Sequence, residues 1–303
     1  MTKARIPQPA IGRLTVSAVV SAILQMSARE ALAAGPTQLP IACAGAGVAC
    51  GTNVTGTNFV TSGAASVSTS GKTLTVQQTS TNATLNWASF NVTSDGKVVF
   101  QQPSSSAIAL NRIYDANPSS IFGSVSANGQ IYLINANGIL FGPTATVNVS
   151  GLLASSLNIT DATFQAGITS QFANSTGSAT SKAALQPFTD SSGNTITNVG
   201  TIQVDAGAQL NAADGGRVLL AGANVLNSGT ITAPDGQVIL AAGQRVYLAP
   251  STTSDLRGLI VEVDGGGNAA NQLAGQISAA RGNVSLVGLM VNQDGRISAT
   301  TSV

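Results

Sequence analysis

Short apolar or alternating runs of four to seven residues, bounded by Gly and Asn, set the pattern of most of the chain. KTLTVQQ (72–78), KVVFQQ (97–102), QIYLIN (130–135), TVNVSG (146–151) and RVLLAG (217–222) are examples. Val, Ile, Thr and Leu dominate them, and turn residues close them, which is the signature of β-strands. Helical periodicity is nearly absent; only Ala183–Leu185 and Asn271–Leu273 invite a brief helical turn.

The second half repeats itself. GGRVLLAG (215–222), GQVILAAG (236–243) and GNVSLVGL (282–289) form one phrase, with Val218 and Val238 twenty residues apart. A second phrase interleaves with it: NVGTIQV (198–204), NSGTITA (227–233), LAGQISA (273–279) and QDGRISA (293–299), with Ile277 and Ile297 again twenty apart. Self-similarity near twenty residues, carried by short β runs, marks a solenoid whose coils stack on one another. A sandwich would show cleaner alternation and no repeated phrases, and the spaced-Leu pattern of leucine-rich repeats does not occur. The expected fold is therefore all-β, a right-handed parallel β-helix (β-solenoid) with an N-terminal cap and extra-helical loops or a hairpin. Its handedness follows the general rule for parallel crossovers. Corners of such a coil need left-handed or bridge backbone conformations, which accounts for the recurring Gly, Asn and Asp. Asn and Thr stacked in register can form ladders between coils. QFANSTGSATSKAALQPFTDSSGN (171–194) carries no repeat phrase and reads either as an excursion from the stack or as an interdomain linker.

The N-terminus departs from this pattern. Lys3, Arg5 and Arg13 precede the apolar run LTVSAVVSAIL (14–24), and Ala31-Leu32-Ala33 follows. This is the three-part plan of a secretory signal peptide, cleaved after Ala33 with Ala31 and Ala33 as the small residues read by the peptidase. The run is too short to span a bilayer, which takes roughly twenty residues, and no later segment resembles a membrane span. Residues 1–33 include Lys3, Arg5, Arg13, Arg29 and Glu30, so their removal leaves nine basic and eleven acidic residues, a net charge near −2. That balance offers nothing to nucleic acid or anionic lipid. Cys43 and Cys50 are the only cysteines; export favours a local disulfide between them over a redox pair or half a metal site.

Candidate chemistry is sparse. Only 8% of residues are charged and none is His, which removes the usual general base and the commonest metal ligand. Between Ala116 and Thr160 there is no Lys, Arg, Asp or Glu, yet this stretch holds two Asn-Gly steps, in SANG (126–129) and INANGILFG (134–142). Amides and glycines without acids or bases build turns rather than react. Elsewhere the acids sit beside glycine, as in Asp95-Gly96, Asp214-Gly215, Asp235-Gly236, Asp264-Gly265 and Asp294-Gly295. Glu262 and Asp264, two apart with Arg257 nearby, are the one pair that could be weighed for a polysaccharide-cleaving β-helix enzyme. No catalytic residue, metal or cofactor is assigned.

Ordered pieces of residues 85–160, namely NWASFNV (86–92), ALNRI (109–113), NPSSIFGSV (117–125), ANGQIYLINANGILFG (127–142) and VNVSGLLAS (147–155), closely resemble the haemagglutination-activity domain of filamentous haemagglutinin-type exoproteins. That is the N-terminal secretion domain of two-partner secretion systems, and the similarity spans roughly Ala34 to Asp161. The family hallmark is Asn-Pro-Asn-Gly; here Ala136 replaces the proline, while Asn135, Asn137 and Gly138 remain. The resemblance implies a secreted, non-enzymatic adhesin or haemagglutinin stalk, recognised by the periplasmic domains of an outer-membrane barrel transporter. Asn117, Pro118, Asn135, Asn137 and Gly138 form the implied secretion motif, either touching the transporter or only shaping the fold. Host-cell glycans or receptors would be the adhesion partners; delivery stalk of a contact-dependent inhibition toxin is the alternative. The expected organisation is a signal peptide (1–33), a secretion domain (34–170), an excursion or linker (171–197) and continuing coils (198–303).

Overall fold

The computed structural model describes residues 37–45, 49–50, 54–55, 57–170, 183–189, 194–196, 200–251 and 258–299. The signal segment with Ala31 and Ala33, most of 171–194, and Arg257 lie outside the described residues.

From Thr73 the chain winds through three faces in a fixed order. Sheet C takes Thr73–Gln78, Lys97–Gln101, Ser124–Ala127, Thr146–Val149, Gln209–Ala212, Thr230–Thr232, Gln276–Ser278 and Arg296–Ser298. Sheet A takes Asn82–Ser89, Ile108–Ile113, Gln130–Ile134, Gly151–Ser155, Arg217–Gly222, Gln237–Ala242 and Asn283–Val287. Sheet B takes Ser119–Ile121, Ile139–Phe141, Thr201–Val204, Asn224–Asn227, Asn268–Asn271 and Met290–Gln293. Every pairing among these strands is parallel. The result is a β-helix with three strands per coil.

Alternation within each run explains the winding. Leu74, Val98, Val125, Val147, Leu210, Ile231, Ile277 and Ile297 stack in one inward column of sheet C. All but the last are buried, and each buried aliphatic is worth about 1.5–3 kcal/mol relative to exposure. Their neighbours, such as Thr146, Asn148, Thr230 and Thr232, stay partly or largely exposed. Sheet A differs, because Gln237–Ala242 is buried at every position. Its inner residues join the coil core, while the outer column Leu110–Tyr132–Leu153–Leu219–Ile239 enters a second apolar cluster with Phe164, Leu185, Val246 and Leu248. The near-continuous apolar runs of this face thus reflect burial on both sides.

That cover comes from two excursions, both leaving between sheets A and B. The first, after Ser155, contains the helix Asp161–Ala166, with Thr160 Oγ1 capping Thr163 N and Asp161 paired to Arg112 at 2.8 Å. The second is the antiparallel hairpin Arg245–Pro250 and Leu259–Asp264. They meet where Val246 N donates to the Leu185 carbonyl at 2.9 Å. At the N-terminal end, Ile41–Ala42 and Val60–Ser62 pair antiparallel with Asn82–Ser89, and Ala65–Ser70 pairs antiparallel with Thr73–Gln78. They form a cap that covers the edges of the first parallel strands.

Two sequence expectations need correction. The turns of helix expected at Ala183–Leu185 and Asn271–Leu273 are absent: Leu185 bridges Val246 and Asn271 ends a strand of sheet B. The described helix lies at 161–166 instead, where a Thr cap and a first-turn acid nucleate it. NVGTIQV also does not stack on NSGTITA. Ile202 lies between Ile139 and Val225 in sheet B, whereas Ile231 lies between Leu210 and Ile277 in sheet C. Both faces ask for a glycine corner followed by an inward aliphatic, so phrases from different faces look alike. The other phrase holds: Val218, Val238 and Val284 stack directly.

Candidate functional site

The Asn-Gly residues build one corner of the coil, where sheet A hands over to sheet B. Asn135 closes a four-residue turn in which Gly138 N donates to its carbonyl at 2.9 Å and Asn137 N donates to its Oδ1 at 2.9 Å. Asn at the first turn position with Gly at the fourth suits a type I turn. Gly138 has φ 100°, a conformation that only glycine adopts readily.

This turn is welded to the coils on both sides. Asn135, fully buried, donates through Nδ2 to the Asn117 carbonyl at 3.1 Å and to Ser119 Oγ at 3.0 Å. Asn137 Nδ2 donates to the Asp115 carbonyl at 2.7 Å. On the following coil, Gly200 N donates to the Ala136 carbonyl at 2.7 Å, and Gly200 lies so close that a Cβ there would stand 1.9 Å from the Asn137 carbonyl oxygen. The structure therefore brings Asn117, Asn135, Asn137 and Gly138 together across adjacent coils. Asn117 and Pro118 are exposed, Asn137 is partly exposed, and Asn135 and Gly138 are inside.

Sequence reasoning missed three supports of this corner. Asp115 Oδ1 accepts from Asn117 N at 3.0 Å, an aspartate turn that the spacing Asp115-Ala116-Asn117 could have revealed. Ser119 and Gly200 carry no local signal, because their partners belong to other coils. The neighbouring motifs NWASF and ALNRI also serve the interior: Trp87 Nε1 donates to Asn111 Oδ1 at 2.9 Å, and Asn111 Nδ2 reaches the carbonyls of Ala109 and Tyr132. Both side chains are fully buried, so the pair satisfies groups that would be costly alone.

The other sequence candidates lie apart. Cys43 and Cys50 are joined as a disulfide, with Cα atoms 5.0 Å apart. Asp264 is on the outer hairpin and pairs with Arg245 at 3.2 Å; Glu262 lies opposite Tyr247 on the same hairpin. Among the described residues no group of three or more His, Cys, Asp or Glu could hold a metal ion, and no helix is long and apolar enough to cross a membrane.

A stack of parallel three-strand coils, capped by antiparallel strands and welded at its corners by asparagine and glycine, places the chain among parallel β-helices. The chain belongs to the TPS (two-partner secretion) secretion domain family, which it matches over residues 51–299. It is similar to two heme/hemopexin-binding proteins of Haemophilus influenzae. One is 37% identical over 97 residues, 32% of this chain and 11% of that protein; the other is 40% identical over 86 residues, 28% of this chain and 9% of that protein. The chain thus spans a small part of those relatives. Among solved structures, it resembles the HMW1 secretion domain from Haemophilus influenzae with a TM-score of 0.63 and 24% identity, covering 78% of this chain and 57% of that one. At that identity the likeness speaks for the fold.

Proposed function

We propose that this chain is the secretion domain of a two-partner secretion exoprotein, exported through the periplasm and handed to an outer-membrane barrel transporter. The observation that carries this reading is the family match over 51–299. Low charge and a single short-range cysteine pair suit a chain threaded unfolded through a pore, and coils that contact only their neighbours can fold progressively on the far side. The transporter's periplasmic domains would read the surface made by Asn117, Pro118 and Asn137, while Asn135 and Gly138 hold that surface in shape. Outside the cell the β-helix would act as a stalk for adhesion to host glycans or receptors, or for delivery of a toxin. The domain itself would be non-enzymatic, a reading supported by the placement of its acids in turns and ion pairs. The heme/hemopexin binding named for the relatives is not carried over, since the matches span only 11% and 9% of them.

The test separates surface from shape. With the cognate transporter co-expressed, Asn117→Ala and Pro118→Ala should melt in urea like the parent yet leave more protein in the periplasm. Unchanged secretion of both variants would remove the surface role.

A further inference from the structure

We propose that a recess beside Arg217, on the outer face of sheet A, is a binding site for a carboxylate group. The recess measures about 360 Å³ and is bordered by Arg217, Gln130, Gly151, Ser105, Ser106 and Asp214 among others. It opens because of a stacking accident. In the register of sheet A, Gly151 stands between Gln130 and Arg217, so the column of outward side chains has a gap of one residue.

Arg217 is what makes the gap chemically interesting. Its Nε is buried and has no hydrogen-bond partner, and among the described residues its guanidinium enters no ion pair. On its inner side it adjoins Tyr132, Leu153, Leu219 and Ile168, an apolar setting in which burial pushes the guanidinium below its ordinary range. Arg217 is half-buried, and a polar atom held out of water without a partner is costly. Asp214 borders the recess without pairing to Arg217, and its field falls on Arg281. Arg217 thus borders the recess together with the Gln130 amide and the Ser105 hydroxyl, which can donate hydrogen bonds, while the Ser106 hydroxyl shares one with Ser104 at 3.0 Å. A guanidinium fork matches a carboxylate in two parallel bonds. The carboxylate could arrive on a free small acid or on the uronic acid of a polysaccharide.

The site can be probed in the exported full chain by following the Arg217 Nε–H resonance, assigned by its loss in Arg217→Met. Sodium acetate, sodium glucuronate, sodium sulfate and sodium chloride are titrated at equal ionic strength. A saturable shift with acetate and glucuronate, at least tenfold weaker with sulfate and absent with chloride, is expected. Equal response to acetate and glucuronate supports a site for the bare carboxylate; tighter saturation by glucuronate supports one that also reads the sugar. Gly151→Thr places a side chain in the gap between Gln130 and Arg217, at a position where a Cβ meets nothing nearer than 3.4 Å, and should abolish the shift. A resonance that moves alike in all four salts, or that still saturates in Gly151→Thr, overturns the site.

Discussion

Replacing Gly138 tests whether the corner is held by contact with the next coil. Its φ of 100° lies beyond the left-handed well open to other residues, a strain of about 1–3 kcal/mol for a side-chain-bearing residue. A Cβ would also stand 2.5 Å from the Thr201 carbonyl oxygen and 2.9 Å from its nitrogen. Both are backbone atoms fixed in sheet B, so the clash adds about 1–3 kcal/mol of overpacking. Gly138→Ala should therefore cost about 2–6 kcal/mol, and Gly138→Val no less, because the first carbon already clashes. At a urea slope near 3 kcal/mol per molar, the midpoint should fall by about 0.7–2 M. Gly71 supplies the control: its φ is 56° and a Cβ there meets nothing within 4 Å, so Gly71→Ala should cost only the left-handed penalty of about 1–2 kcal/mol. If Gly138→Ala melts no earlier than Gly71→Ala, the contact with Thr201 does not constrain the corner and the reasoning is wrong.

Four further outcomes follow from the same contacts. Ala136→Pro should be neutral or stabilise by up to about 1 kcal/mol, since proline suits the second position of a type I turn; a clear loss in the urea midpoint would contradict the turn assignment. Asn227→Ala strands the Gly229 N–H and Asn271 Oδ1, which Asn227 now satisfies at 3.1 and 2.8 Å, and should cost about 2–6 kcal/mol, whereas Asn211→Ala on the exposed pair with Asn148 should cost under about 0.5 kcal/mol; equal losses would refute the ladder. Lys72, with Thr37 and Thr93, donates to Asp95 and holds its carboxyl well below the usual range, so this contribution is present above about pH 4, the unfolded range, and fades as pH falls further; Asp95→Asn should flatten the acid limb of a stability profile at low salt, and an unaltered limb would count against the contact. Exported protein, labelled under denaturing conditions, should show no free thiol at Cys43 or Cys50; two labelled thiols per chain would refute oxidation.

The sequence was most legible where one coil obeys one rule. The inward column from Leu74 to Ile297 is visible as alternation, and Val218, Val238 and Val284 as a repeated phrase, because each demand is met within a single strand. Legibility failed where a partner lies on another coil. Nothing near Trp87 announces Asn111, nothing near Asn137 announces Gly200, and nothing near Arg217 announces Gly151, its neighbour 66 residues earlier in the chain. The confusion of NVGTIQV with NSGTITA has the same origin, since two faces impose one local pattern. The double burial of sheet A was present in LLAS, VLLA and VILAA as runs without alternation, but the cover that explains them comes from distant excursions.

Transporter dependence is the most direct measurement of the central claim. The full chain should be expressed with and without its cognate outer-membrane transporter, and the fraction in the medium compared with that in the periplasm. Release into the medium only when the transporter is present is the predicted result. Equal release in its absence, or periplasmic retention despite it, would contradict the assignment as a two-partner secretion substrate.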